Sequence, residues 1–172
     1  LNIMKIFGQI SLFIFFVLLI NCGFNFANNS LSKDNYKLKS VFIINFIKNL
    51  EFNREMSIYN IGFYVDEGYK KYRENLSGRT IKQRHVNVMK LDKENVRKLH
   101  IIFVGRAKQG AFGKLRKINP KALFVTEGFY PGGDHPVIAI QQKNQRLAIR
   151  VNKSGLRESG LRVSQKLLSL SQ

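Results

Sequence analysis

HIIFV (residues 100–104) and ALFVT (residues 122–126) are the stretches whose reading decides the fold. Both are unbroken apolar runs, too short for a helix and rich in β-branched and aromatic residues. A strand with one wet face alternates; a strand buried on both faces does not, and two-faced burial belongs to parallel sheets covered by helices. Between them, residues 108–118 carry helical spacing and close at Pro120. The unit is therefore strand, helix, strand. Working back toward the N-terminus, 93–99 predicts a short helix, 86–91 a strand, and 66–76 a helix whose Tyr69, Tyr72, Arg73 and Leu76 share a face. SIYNIGFYV (57–65) predicts the first strand of the series. Strands alternating with helices imply a parallel α/β sheet.

The flanks complete this picture. YKLKSVFIINFIKNLEF (36–52) is too long for one strand, and Asn45, Lys48 and Asn49 form a narrow polar stripe on an apolar background. That pattern predicts a largely buried helix, with Asp34 as its N-cap. Beyond the second decisive stretch the period changes. Residues 137–141 and 146–151 flank a turn-like 142–145, and in RLAIRV the residues Leu147, Ile149 and Val151 face opposite to Arg146, Ala148 and Arg150. This is a half-exposed antiparallel hairpin. In the closing NKSGLRESGLRVSQKLLSLSQ (152–172), Asn152 is placed to cap a short helix, Gly160 to end it in the left-handed region, and Ser164 to cap a last helix with Leu167, Leu168 and Leu170 inward. The fold class expected is α/β: a mixed, mainly parallel sheet flanked by helices, Rossmann-like and three-layered, finished by a C-terminal β-hairpin and helix.

The chain has 172 residues, which favours one domain. Met4-Lys5, an apolar run from Ile10 to Ile20 broken only by Ser11, and the small-residue exit Asn25-Phe26-Ala27 have the layout of a secretory signal cut after Ala27. The run is shorter than the ~20 residues of a spanning helix. The expected organisation is a signal peptide over 1–27 and a single domain over 28–172, in an exported protein. Cys22, the one cysteine, lies in this leader; its lipidation is the minor alternative, disfavoured by Asn21 before it. Lys and Arg number 29 against 11 acidic residues, a formal net charge of +18. The cations are scattered, with no run of five, as on a solvated surface. For an exported protein the polyanions within reach are envelope polymers and lipid headgroups rather than nucleic acid.

Catalytic groupings are hard to find. After HIIFV, Gly105 and Gly110 have the spacing of a phosphate loop, but Ala111 and Phe112 stand where lysine and Ser/Thr are required. His85, His100 and His135 form no i, i+4 pair, and Asp134-His135 alone is short of the three or four ligands of a zinc site. No G-x-S-x-G elbow occurs. The expectation is a non-enzyme without metal or cofactor. In parallel α/β sheets ligands sit at the carboxyl ends of the strands, here the loops 66–68, 105–110 and 127–136. The last loop offers Phe129 and Tyr130 as aromatic anchors, which with Arg106, Lys108 and Arg150 make the expected partner-binding set.

With the elements placed, the chain resembles the YfiR-like family of periplasmic proteins. KSVFIINFIKNLEF (39–52) resembles the family's N-terminal helix, HIIFVG (100–105) its "I-L-F-I-G", and Thr126 with Gly128-Phe129 its "T-V-…-G-F". RLAIRVN (146–152), GLRVS (160–164) and Leu167-Leu168-x-Leu170 resemble its closing motifs. Phe52-Asn53 stands in place of the family's Trp-Pro, and Gly132-Gly133 is followed by an extra Asp-His-Pro, with Ala139 where asparagine is usual. The resemblance implies a regulator that binds the periplasmic sensor domain of an inner-membrane diguanylate cyclase and represses cyclic-di-GMP signalling. A homodimer and contacts with anionic envelope components stay open.

Overall fold

The computed structural model describes residues 35–52, 56–133, 135, 137–143 and 146–169. The leader, Cys22, Asp34, Asp134 and Leu170 lie outside them, and with them the expectations placed on those residues.

The chain enters through helix α1 (Tyr36–Asn49) and a two-residue strand β1 (Leu50–Glu51). The cap that α1 shows is Asn35, whose side chain accepts from the Leu38 N–H at 3.2 Å. Strand β2 (Ile58–Tyr64) leads to helix α2 (Tyr69–Leu76) and then to a tight hairpin, β3 (Thr80–Ile81) with β4 (Arg84–Lys90). This hairpin was not foreseen, and β4 starts two residues earlier than expected. Its turn holds Lys82 and Gln83 at φ 49° and 63°, the left-handed pair that Asn-Gly usually supplies. Lys-Gln carries no such signal. A 3₁₀ turn (Val96–Lys98) replaces the expected helix over 93–99 and leads to β5 (Ile101–Val104). Next, the helix expected from Lys108 is 3₁₀ over Arg106–Ala111 and becomes α3 only at Phe112–Ile118. The order ends β6 (Leu123–Glu127), β7 (Val137–Lys143), β8 (Arg146–Val151), α4 (Lys153–Glu158), β9 (Arg162–Val163) and α5 (Gln165–Ser169).

The main sheet has seven strands in the order β3-β4-β2-β5-β6-β7-β8. Strands β4, β2, β5, β6 and β7 are parallel; β3 and β8 run antiparallel at the two edges. The expected mixed, mainly parallel sheet with a C-terminal hairpin is what forms. Alternation along β5 and β6 sorts the apolar side chains into two cores. Ile101, Phe103, Leu123 and Val125 pack toward α1, α2 and the closing segment; Ile102, Val104, Ala122 and Phe124 pack toward the 3₁₀ turn and α3. Three layers result. Burying each of the larger of these side chains is worth about 1.5–3 kcal/mol, which is why two short apolar runs can anchor the architecture.

The helix, break and helix expected of the closing segment form, with the unforeseen strand β9 between them and with Leu167 buried but Leu168 only half-buried. Asn152 caps α4, its Oδ1 accepting from Gly155 N–H at 3.1 Å. Gly160 has φ 77°, and Leu156, Leu161 and Leu167 are buried in the first core while Arg157 and Arg162 are exposed. Ser164 caps α5 through the Leu167 N–H at 3.2 Å. Strand β9 pairs antiparallel with β1, and the Ser164 hydroxyl bonds to Asn49 Oδ1 at 2.9 Å, so the end of the domain is fastened to its beginning.

Candidate functional site

The winding of the sheet creates the site. From β2 the chain moves through α2 to β4 on one side, then crosses to the other side of β2 for β5, β6 and β7. The strands β2 and β5 stay paired to their last residues, Tyr64 with Val104, but the connections that leave them go to opposite faces of the sheet, which is where α/β sheets leave a crevice. A cleft of about 610 Å³ lies there, bordered by the residues following β2, β5 and β6 and floored from the α1 and α2 side by Tyr36, Lys39 and Tyr72. The expected loops 66–68 and 105–110 do meet, joined by the beginning of 127–136.

Four of the six charged side chains of the cleft form two ion pairs. Lys39, on the buried side of α1, reaches Glu127 Oε1 at 2.5 Å, with 6% and 25% of the two side chains exposed. At the rim Lys108 pairs with Asp66 and lies 5.6 Å from the Tyr64 ring centroid. The hydrogen bond to Asp66 is the main cause that raises the Lys108 pKa above the ordinary lysine value. Arg106 lays its guanidinium against Gly128, where a Cβ would collide with Nε and Nη2. Gly128 has φ +75°, turns the chain off β6, and donates its N–H to Ile140 O at 2.8 Å.

Beneath the pairs is an aromatic floor. Tyr72 stacks on Phe63 at 4.6 Å and meets Tyr36 edge-on at 5.1 Å, with Phe103 also at 5.1 Å. It is 1% exposed, and its hydroxyl has no hydrogen-bond partner among the described residues. Burial, with the Glu127 carboxylate and Tyr36 adding to it, pushes this hydroxyl well above the ordinary phenol value, so it stays a proton donor at any physiological pH.

The five residues expected to bind a partner fall into two groups. Arg106 and Lys108 border the cleft. Phe129, Tyr130 and Arg150 lie on the α3 side of the sheet: Phe129 is edge-on to Phe112 at 6.2 Å, and the Arg150 guanidinium sits 4.0 Å from the Tyr130 ring centroid. Phe129 and Tyr130 are half-buried, so part of each ring serves the second core. Thr126 Oγ1 donates to Phe129 O at 2.6 Å and holds this turn in place.

Two residues central to the cleft were missed from sequence, Lys39 and Tyr72. A signal existed for the first: Tyr36, Lys39, Ser40, Ile43, Phe46 and Ile47 are the buried stripe of α1, and a lysine inside such a stripe calls for a buried partner. For Tyr72 no sequence signal separates an unpartnered hydroxyl from a satisfied one. Among the described residues no three of His, Cys, Asp and Glu gather as a metal site would require, and no helix is long and apolar enough to cross a membrane.

No curated protein matches the sequence. A family profile described as YfiR/HmsC-like matches residues 36–172, from the first residue of α1 through the closing segment. With the mainly parallel sheet, the Asn152 and Ser164 caps and the β1–β9 clasp in place around the same residues, the chain belongs to the YfiR/HmsC-like family.

Proposed function

We propose that this chain is an exported, non-enzymatic regulator that binds the periplasmic sensor domain of an inner-membrane diguanylate cyclase and represses cyclic-di-GMP synthesis. The observation that carries the reading is membership of a regulatory family over residues 36–172; the leader-like residues 1–27 are consistent with it as a secretory signal preceding a single domain. A binding protein represses by favouring one conformation of its target, and a few kcal/mol of differential affinity empties the active state. The docking patch in this proposal is Phe129, Tyr130 and Arg150, whose stacked aromatic and guanidinium groups have the chemistry of an interface anchor.

Deleting the protein and measuring cellular cyclic-di-GMP tests the reading: the level rises if it represses, and an unchanged level in every growth condition removes the proposal. The patch is tested separately by Tyr130→Ala with Arg150→Ala, which should weaken binding to the cyclase sensor domain by about tenfold or more. Undiminished binding would move the docking surface elsewhere.

A second reading rests on the charge of +18: the basic surface binds anionic envelope polymer or lipid. Such binding falls steeply with salt through counterion release. Association with anionic vesicles that is absent, or indifferent to salt, eliminates it.

A further inference from the structure

The switch-point cleft combines two features that a purely scaffolding surface does not need. The first is a volume of about 610 Å³ where the connections leaving β2 and β5 part, lined by charges of both signs together with the apolar Ile140 and Leu147. The second is the Tyr72 hydroxyl at the floor, 1% exposed and without a hydrogen-bond partner among the described residues. A buried hydroxyl left unpaired destabilises the fold, and phenylalanine would fill the same aromatic stack without that loss. Cores tolerate such a group where a ligand completes it.

We propose that this cleft is the binding site for a small, neutral, polyhydroxylated molecule: a free sugar or polyol. The choice follows from the charges. The three cations Lys39, Arg106 and Lys108 face the three carboxylates Asp66, Glu67 and Glu127, and Lys39 and Lys108 are already engaged with Glu127 and Asp66. An anionic group entering beside Tyr72 meets the Glu127 carboxylate without a spare buried cation to offset it. A cationic group meets Lys39. A neutral hydroxyl does what neither can, accepting from the Tyr72 O–H while donating to the remaining lone pairs of Glu127. The C–H faces of such a ligand have Ile140 and Leu147 to pack against, and Arg106 supplies donors at the rim. A volume of about 610 Å³ lies within the range of small-molecule pockets. The inference is independent of the cyclase reading, since it concerns what enters the cleft and not what docks on the surface.

The test is thermal unfolding and calorimetric titration of the purified protein with glucose, galactose, trehalose, myo-inositol and glycerol, alongside inorganic phosphate and glycine as the anionic and zwitterionic probes. At least one neutral probe is expected to bind saturably and raise the unfolding midpoint. Tyr72→Phe should weaken that probe by about tenfold, while its own unliganded midpoint is unchanged or higher by about 3 °C. The proposal is overturned if no neutral probe binds, if only phosphate or glycine does, or if Tyr72→Phe keeps the parent affinity. A lowered midpoint for unliganded Tyr72→Phe also overturns it, because the hydroxyl would then be bonded within the core.

Discussion

Two segments of this molecule set glycine beside arginine and fold to different ends. Residues 105–110 read GRAKQG; residues 155–162 read GLRESGLR. In the closing segment the glycines are structural: Gly155 lies so close to the backbone of His135 that a Cβ has no room, and Gly160 supplies the left-handed turn. Its leucines enter the core and its arginines go to solvent. In the 105–110 segment the positions between the glycines are Arg-Ala-Lys-Gln, with no leucine to bury, so the segment lies as a 3₁₀ turn over the cleft with Arg106 on Gly128 and Lys108 on Asp66. Glycine next to arginine therefore specifies nothing by itself; the apolar residues interleaved with them decide whether a segment becomes scaffold or rim.

The contrast can be broken by substitution. Gly155→Ala has the largest expected effect. The new methyl meets backbone that cannot rotate away, so the loss should approach 3 kcal/mol in urea denaturation; a loss under about 1 kcal/mol would show that the closing segment is not rigid scaffold. Glu127→Gln comes next. It leaves the Lys39 ammonium buried without its carboxylate, and because Glu127 is 25% exposed the cost is set below that of a fully buried pair, at about 2 kcal/mol. A neutral outcome in the same measurement would mean that the cleft floor does not depend on that pair. At the rim the expected effect is smallest and is read as a titration. Asp66 raises the Lys108 pKa, so its contribution is fully present below the unfolded lysine value and is lost as pH rises through the raised one. Asp66→Asn should bring the Lys108 pKa down toward the ordinary value in NMR titration, and an unmoved pKa would contradict the pairing.

Much of the architecture was legible because burial leaves a periodic trace. Strands β5 and β6 announced themselves as unbroken apolar runs, and the alternation of Leu147, Ile149 and Val151 announced the edge hairpin. The caps Asn152 and Ser164 were readable because capping chemistry is local. What escaped was either unmarked locally or made by distant residues. Lys82-Gln83 turns the chain without turn-forming residues. Of the cleft, the loops were legible from the strand ends, and the Lys39–Glu127 pair was not: its partners are separated by 88 positions and meet only once the sheet has formed.

The clasp between β1 and β9 has a consequence for how the protein comes into being. Asn49 and Ser164, 115 positions apart, hold the two ends of the domain together. A chain delivered from one end, whether from a ribosome or through a translocation channel, presents α1 first and the residues that cover it last. Closing so long a loop is the slow kind of step. Until β9 and α5 arrive, the apolar side of α1 lacks part of its cover and the domain stays unlatched. A domain latched in this way stays open until β9 and α5 have joined α1 and β1, so its finishing step is the docking of its own closing segment.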